Sequence, residues 1–97
     1  MVDAACTHCV LGQIGMKRGN LVRAEADLRQ SVSMLASSSE EYQLARSRYW
    51  LGRLLVQKGA LDEAKTLLNQ AEASFVQLDA ALDLTAVQLV KREYHLN

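Results

Sequence analysis

Cys6, Thr7, His8 and Cys9 are the one stretch of the 97-residue chain that sets two thiols and an imidazole within four consecutive positions. Cysteines at this spacing can offer two thiolates to zinc, or cycle between dithiol and disulfide. Zinc needs four ligands, or three and a water, and the only other histidine is His95, near the opposite end of the sequence. On a helix, His8 points to a different side from the two cysteines. Thioredoxin-type chemistry wants a strand before the motif, and haem attachment wants a histidine directly after the second cysteine. Neither condition is met, so Cys6 and Cys9 read as small helix residues, with a thiol or shared-metal site as the lesser alternative. His8 is expected to be a hydrogen-bonded interior side chain and His95 a solvated one, while Met16 and Met34 read as core fillers. The chain has no glycine-rich phosphate loop, and its carboxylates are scattered along polar faces, so no acid and base pair can be assembled. The expectation is no enzyme, no cofactor and no metal.

Whatever the chain does must therefore be carried by the elements it builds. It has no proline and five glycines, and Ala, Leu, Gln, Glu, Lys and Arg dominate, which favours helix almost throughout. Breaks fall at Arg18-Gly19-Asn20, at Ser37-Ser38-Ser39, at Lys58-Gly59 and at Leu78-Asp79, leaving five helices. Gly19 and Gly59 can take the left-handed conformation that closes a helix, with Arg18 and Lys58 favouring the negative end of its dipole. Asn20 is expected to cap the second helix, Ser38 with Glu41 to form a capping box for the third, and Asp79 to cap the fifth.

Eleven basic and eleven acidic side chains cancel, and the pI is near 6.7, so no overall field draws the chain to nucleic acid or to an anionic membrane. The first sixteen residues lack a basic leading segment and a cleavage pattern, and read as folded protein. No run of apolar residues is long enough for a membrane span. With two cysteines too close together to staple distant parts of a fold, the expected setting is reducing and cytoplasmic.

A second pattern is internal. "KRGNLVRAEADL" at 17–28 and "QKGALDEAKTLL" at 57–68 share Gly-x-Leu-x-x-Ala-x-x-x-Leu. The forty-residue offset also pairs Ala5 with Ala45, Leu11-Gly12 with Leu51-Gly52, Gln30 with Gln70, and Leu44 with Leu84. Such self-similarity marks stacked supersecondary units, each unable to cover its apolar face alone. Here the unit is a helical hairpin. Gly12 facing Ala24, and Gly52 facing Ala64, would let two backbones approach; Ser31 and Ala71 extend the contact, and Leu11, Leu28, Leu51 and Leu68 fill beside it. The middle helix, over residues 40–58, is apolar around much of its circumference and should lie at the centre of the core. The last helix should turn Ala86, Val87, Val90 and Tyr94 inward and seal the end with a polar back of Gln88, Lys91, Arg92 and His95. The first helix is also largely apolar, so a preceding unit or a second chain is expected against it.

Leu11-Gly12, Gly19, Ala24 and Leu28, repeated as Leu51-Gly52, Gly59, Ala64 and Leu68, resemble the tetratricopeptide repeat. The sequence departs from that pattern at His8 and Arg48, which stand at its tryptophan positions, and in having no closing proline. The long period, with "AEASFVQLDAALDL" at 71–84, is similar to tetratricopeptide-like arrays of bacterial multidomain regulators such as ATPase-coupled transcriptional activators. The resemblance implies an all-α fold of antiparallel helical hairpins stacked as a short α-solenoid. It would form a single domain over 1–97, with one repeat at about 5–38, a second at about 39–78 and a capping helix at about 79–96. It implies a non-catalytic scaffold, part of a larger regulatory protein, whose first helices line a concave groove for a peptide or partner helix. Family spacing maps that groove onto Cys6, Cys9, Gln13 and Lys17 in one copy and Arg46, Tyr49, Arg53 and Gln57 in the other. Lys17, Arg46 and Arg53 make it basic and suit it to an acidic partner. The alternative is a self-associating structural module joined through its N-terminal helix.

Overall fold

The computed structural model describes residues 4–37 and 39–96, with side chains from Cys9 onward. It contains five helices: α1 (Ala4–Lys17), α2 (Leu21–Ala36), α3 (Glu41–Lys58), α4 (Leu61–Gln77) and α5 (Ala81–Glu93). There is no strand among the described residues. The all-helical class and all four predicted breaks are observed.

Four of the five helices stop in the same way. Gly19, Gly59, Asp79 and His95 have positive φ values of 77°, 84°, 55° and 57°. In each case the next residue turns its N–H back to a carbonyl five positions earlier: Asn20 to Gly15, Ala60 to Leu55, Ala80 to Phe75, and Leu96 to Lys91, at 2.7–3.0 Å. These bonds satisfy carbonyls that the end of a helix leaves without partners. Asp79 therefore ends α4 instead of capping α5, whose N-cap is Ala80 with no side-chain bond. It does at this turn what glycine does at the other two, because aspartate tolerates the left-handed region better than most side chains. Asn20 does cap α2, accepting from the Arg23 N–H at 3.4 Å. The N-cap of α3 is Glu40, again without a side-chain bond, and Ser38 lies outside the described residues.

Consecutive helices pack against each other, and α3 touches all four others. It buries Ala45, Leu51, Leu54, Leu55 and Val56, which makes it the core helix its sequence implied. On α2 the buried positions are Ala24, Leu28, Ser31 and Leu35; on α4 they are Ala64, Leu68, Ala71 and Phe75, the same stripe forty residues later. Ser31 and Ser47 are fully buried between α2 and α3, and their hydroxyls share a 2.7 Å hydrogen bond.

The close approach at the glycines exists, but its register differs from the expected one. A Cβ on Gly12 would come within 2.5 Å of Leu28 Cγ, whereas Ala24 faces Gly15, with 3.0 Å between the two β positions. In the second copy a Cβ on Gly52 would lie 2.8 Å from Leu68 Cγ and 3.5 Å from the Ala64 carbonyl oxygen. The glycine makes room for a leucine instead of a second small residue, which fills the space better. Leu11, expected to pack there, is 43% exposed while its counterpart Leu51 is 2% exposed. Four helices pack on α3, whereas among the described residues α1 is packed only by α2 and α3.

α5 seats Val87 and Val90 on the core as expected, but Tyr94 is exposed. Its back is not uniformly polar. Lys91 is drawn into an ion pair with Glu72 of α4 at 2.8 Å, and Leu82 and Leu89 stand 89% and 56% exposed.

Candidate functional site

Arg53 and Gln57 of α3 border two hollows, one shared with α1 and the other with α5. Gln13, Met16 and Lys17 of α1, with Trp50, Arg53 and Gln57 of α3, line an open concavity of about 190 Å³. Arg53 and Gln57 also border a smaller one, about 100 Å³, completed by Val90, Glu93 and Tyr94. Helical spacing explains the shared edge: Gln13 and Lys17 are one turn apart, as are Trp50, Arg53 and Gln57.

Arg53 is the organising side chain. Its guanidinium carbon lies 4.8 Å from the Trp50 ring centroid and 5.7 Å from that of Tyr49, and the two rings meet edge to face at 5.4 Å. The π faces hold the cation in place without neutralising it. An oriented positive charge, the Lys17 ammonium and two carboxamides can together accept a carboxylate and pair with peptide groups. Glu93 sets a negative charge at the α5 end.

Four of the residues that the sequence assigned to a groove, Gln13, Lys17, Arg53 and Gln57, thus come together around one hollow. Tyr49 lies beneath Arg53 as part of its support. Arg46 borders neither hollow. It is seven residues, about 10 Å, before Arg53 along α3, close enough to Tyr42 to act on its phenol. Cys9 is buried and accepts a 3.5 Å contact from Gln13 Nε2 onto its sulfur, so it faces the packing and not the groove. The side chains of Cys6 and His8 lie outside the described set. Trp50 and Met16 were missed because the repeat pattern assigned them no groove role, although Trp50 falls one turn before Arg53. Among the described residues, no three His, Cys, Asp or Glu side chains gather as a metal site requires.

The outer face carries a different feature. Arg29 donates to Glu25 at 2.8 Å on its own helix and to both oxygens of Glu63 on α4, at 2.8 and 3.0 Å. Lys58, at the end of α3, donates to the other oxygen of Glu25. This chain ties α2 to the turn between α3 and α4. The hydrogen bonds from Lys58 and Arg29 hold the Glu25 carboxyl below its usual range, and Arg29 does the same for Glu63. The Arg29 guanidinium is correspondingly pushed up by its two carboxylate partners. At the other end, Tyr42 donates to Asp83 at 2.7 Å, and that bond raises the phenol's pKa.

None of the described helices is long and apolar enough to cross a membrane. No protein-family model, curated protein or solved structure matches the chain.

Proposed function

We propose that the chain is a non-catalytic protein-interaction module. Two tetratricopeptide-like hairpins, α1–α2 and α3–α4, stack with α5 as a closing helix, and the face shared by α1, α3 and α5 receives an acidic peptide or partner helix. The observation that carries this reading is the hollow around Arg53. Gln13 and Arg53 are forty residues apart, as are Lys17 and Gln57, so equivalent positions of two copies of one sequence pattern line the same surface.

The helix contacts support a curved stack. α3 touches both α1 and α5, whereas among the described residues α2 and α4 make no backbone contact within 8 Å and meet through the long Arg29–Glu63 pair. Helices that converge on one side and diverge on the other leave the converging side concave.

Trp50 is the only tryptophan of the chain and borders the hollow, so its fluorescence reports occupancy. Titration with acidic amphipathic peptides and their charge-reversed counterparts should change its emission for the acidic set alone. Lys17→Glu with Arg53→Glu should weaken binding at least about tenfold, about 1.4 kcal/mol, while Arg46→Glu should leave it nearly unchanged. Equal binding by the double variant and the parent chain would remove this site from consideration.

A further inference from the structure

An open groove between α1 and α2, with no α3 residue in its lining, is bordered by Leu11, Ile14, Arg18, Arg23 and Asp27. Forty residues later the same positions hold Leu51, Leu54, Lys58, Glu63 and Leu67. There the groove is filled, with Leu51 and Leu54 at 2% and 0% exposure and α2 packed against α3. Two ion pairs fix the filling helix: Glu25 with Lys58 and Arg29 with Glu63. The molecule thus contains its own example of what such a groove accepts. The helix that fills it carries charged residues at 25 and 29 that match the rim and a small hydroxyl at 31 against Ser47 of α3, with buried leucines at 28 and 35, the first of which also packs on Gly12 of α1.

In the open copy the apolar floor is bare, with Leu11 and Ile14 at 43% and 41% exposure. The rim differs in one respect. Lys58 is replaced by Arg18 and Glu63 by Arg23, both exposed, so the matching helix needs acids at both charged positions. Asp27, the one acid on the rim, is itself engaged.

One segment of this chain has that pattern. Residues 79–89 read DAALDLTAVQL, with Asp79, Leu82, Asp83, Thr85 and Leu89 at the spacings of Glu25, Leu28, Arg29, Ser31 and Leu35. Leu82, Thr85 and Leu89 form the outward stripe of α5, opposite the buried Val87 and Val90. Asp83 accepts from Tyr42 and has further lone pairs to offer, and Asp79 stands exposed in the preceding turn. The stripe belongs to the last helix and the groove to the first two, so one molecule presents the stripe and another the groove.

We infer that the outer face of α5 in one copy docks into the α1–α2 groove of a second copy, Leu82 and Leu89 covering Leu11 and Ile14 while Asp79 and Asp83 pair with Arg18 and Arg23. The contact is head to tail, leaving a free groove at one end and a free stripe at the other, so it propagates beyond two molecules, as a chain or a ring, instead of closing as a symmetric dimer. One helix in one groove is a small interface, and the association is concentration-dependent and weakened by salt.

The test uses complementary blocked copies of the full chain in sedimentation equilibrium. Leu11→Asp with Ile14→Asp blocks the groove, and Leu82→Asp with Leu89→Asp blocks the stripe; all four side chains are exposed, and circular dichroism checks that each variant keeps its helix content. The parent chain should grow beyond dimer as concentration rises. Each blocked copy alone should stay monomeric, and an equal mixture should form a dimer and stop there. A parent chain that stays monomeric at millimolar concentration, a blocked copy that still associates, or a mixture that does not dimerise would each overturn the inference. Peptide binding at Trp50 involves none of the four substituted side chains and is scored separately.

Discussion

Gly52→Ala should destabilise the protein even though alanine is the better helix former. In an exposed helix interior the change gains about 1 kcal/mol. Here the added methyl would sit 2.8 Å from Leu68 Cγ and 2.9 Å from Cδ2. Carbon contacts are comfortable from about 3.5 Å, so Leu68 would have to withdraw by about 0.7 Å. It is fully buried and has nowhere to go. Overpacking of this kind costs about 1–3 kcal/mol, so the net loss is about 1 kcal/mol, or about 4–8 °C in melting temperature for a domain of this size. Urea denaturation followed by far-UV circular dichroism would measure it. The decisive comparison is made on a Leu68→Ala background, itself about 2–5 kcal/mol less stable. With the leucine gone, the same Gly52→Ala change should become stabilising by about 1 kcal/mol, through the helix propensity it no longer has to offset. If Gly52→Ala stabilises the otherwise unaltered chain, α3 and α4 do not meet at this residue and the packing described above is wrong.

Arg29→Ala should cost about 0.5–1 kcal/mol near neutral pH, because its partners are partly solvated. Glu25 and Glu63 have folded pKa values below 4.5, so their contribution is present above that value and lost as pH falls through the lower folded pKa. The difference between Arg29→Ala and the parent should therefore shrink as denaturation curves are taken from about pH 6 to about pH 3. Tyr42 should ionise above the ordinary phenol range in an absorbance titration, since its phenolate would form beside the Asp83 carboxylate, and Tyr42→Phe should delete that step. At position 79, with φ at 55°, alanine should lower stability by about 1 kcal/mol while glycine should match or exceed the parent in the same denaturation assay.

Most of the fold was legible because the signals that specify it are local. Gly19 and Gly59 marked helix ends by backbone freedom, and the forty-residue repeat marked Ala24, Leu28 and Ser31 with Ala64, Leu68 and Ala71, all of them buried. What escaped were features set by partners distant in sequence. Asp79 looked like a cap because aspartate commonly is one, and only the path of the chain from α4 to α5 makes it a left-handed stop. Leu11 and Leu51 are the same residue in the same register, yet opposite in exposure, because burial depends on which helix lies across them. In the candidate groove, the repeat resemblance named Gln13, Lys17, Arg53 and Gln57, and these four line one hollow. It could not show that Cys9 turns into the packing, or that Arg53 rests on Trp50, since both depend on side-chain direction and not on position along the helix.

The hydroxyl pair between α2 and α3 has a consequence for sorting. Where Ser31 meets Ser47, the corresponding positions on α4 and α5 are Ala71 and Val87, both fully buried. Two helices as alike as α2 and α4 invite exchange while the chain collapses, because each offers the same leucine spacing. If α4 took the seat of α2, Ala71 would leave the Ser47 hydroxyl without its mate, a loss of about 1–3 kcal/mol. That is a large share of what a domain this small can spare. A single buried pair of serines thereby adds about 1–3 kcal/mol of preference for the observed placement of two near-twin segments.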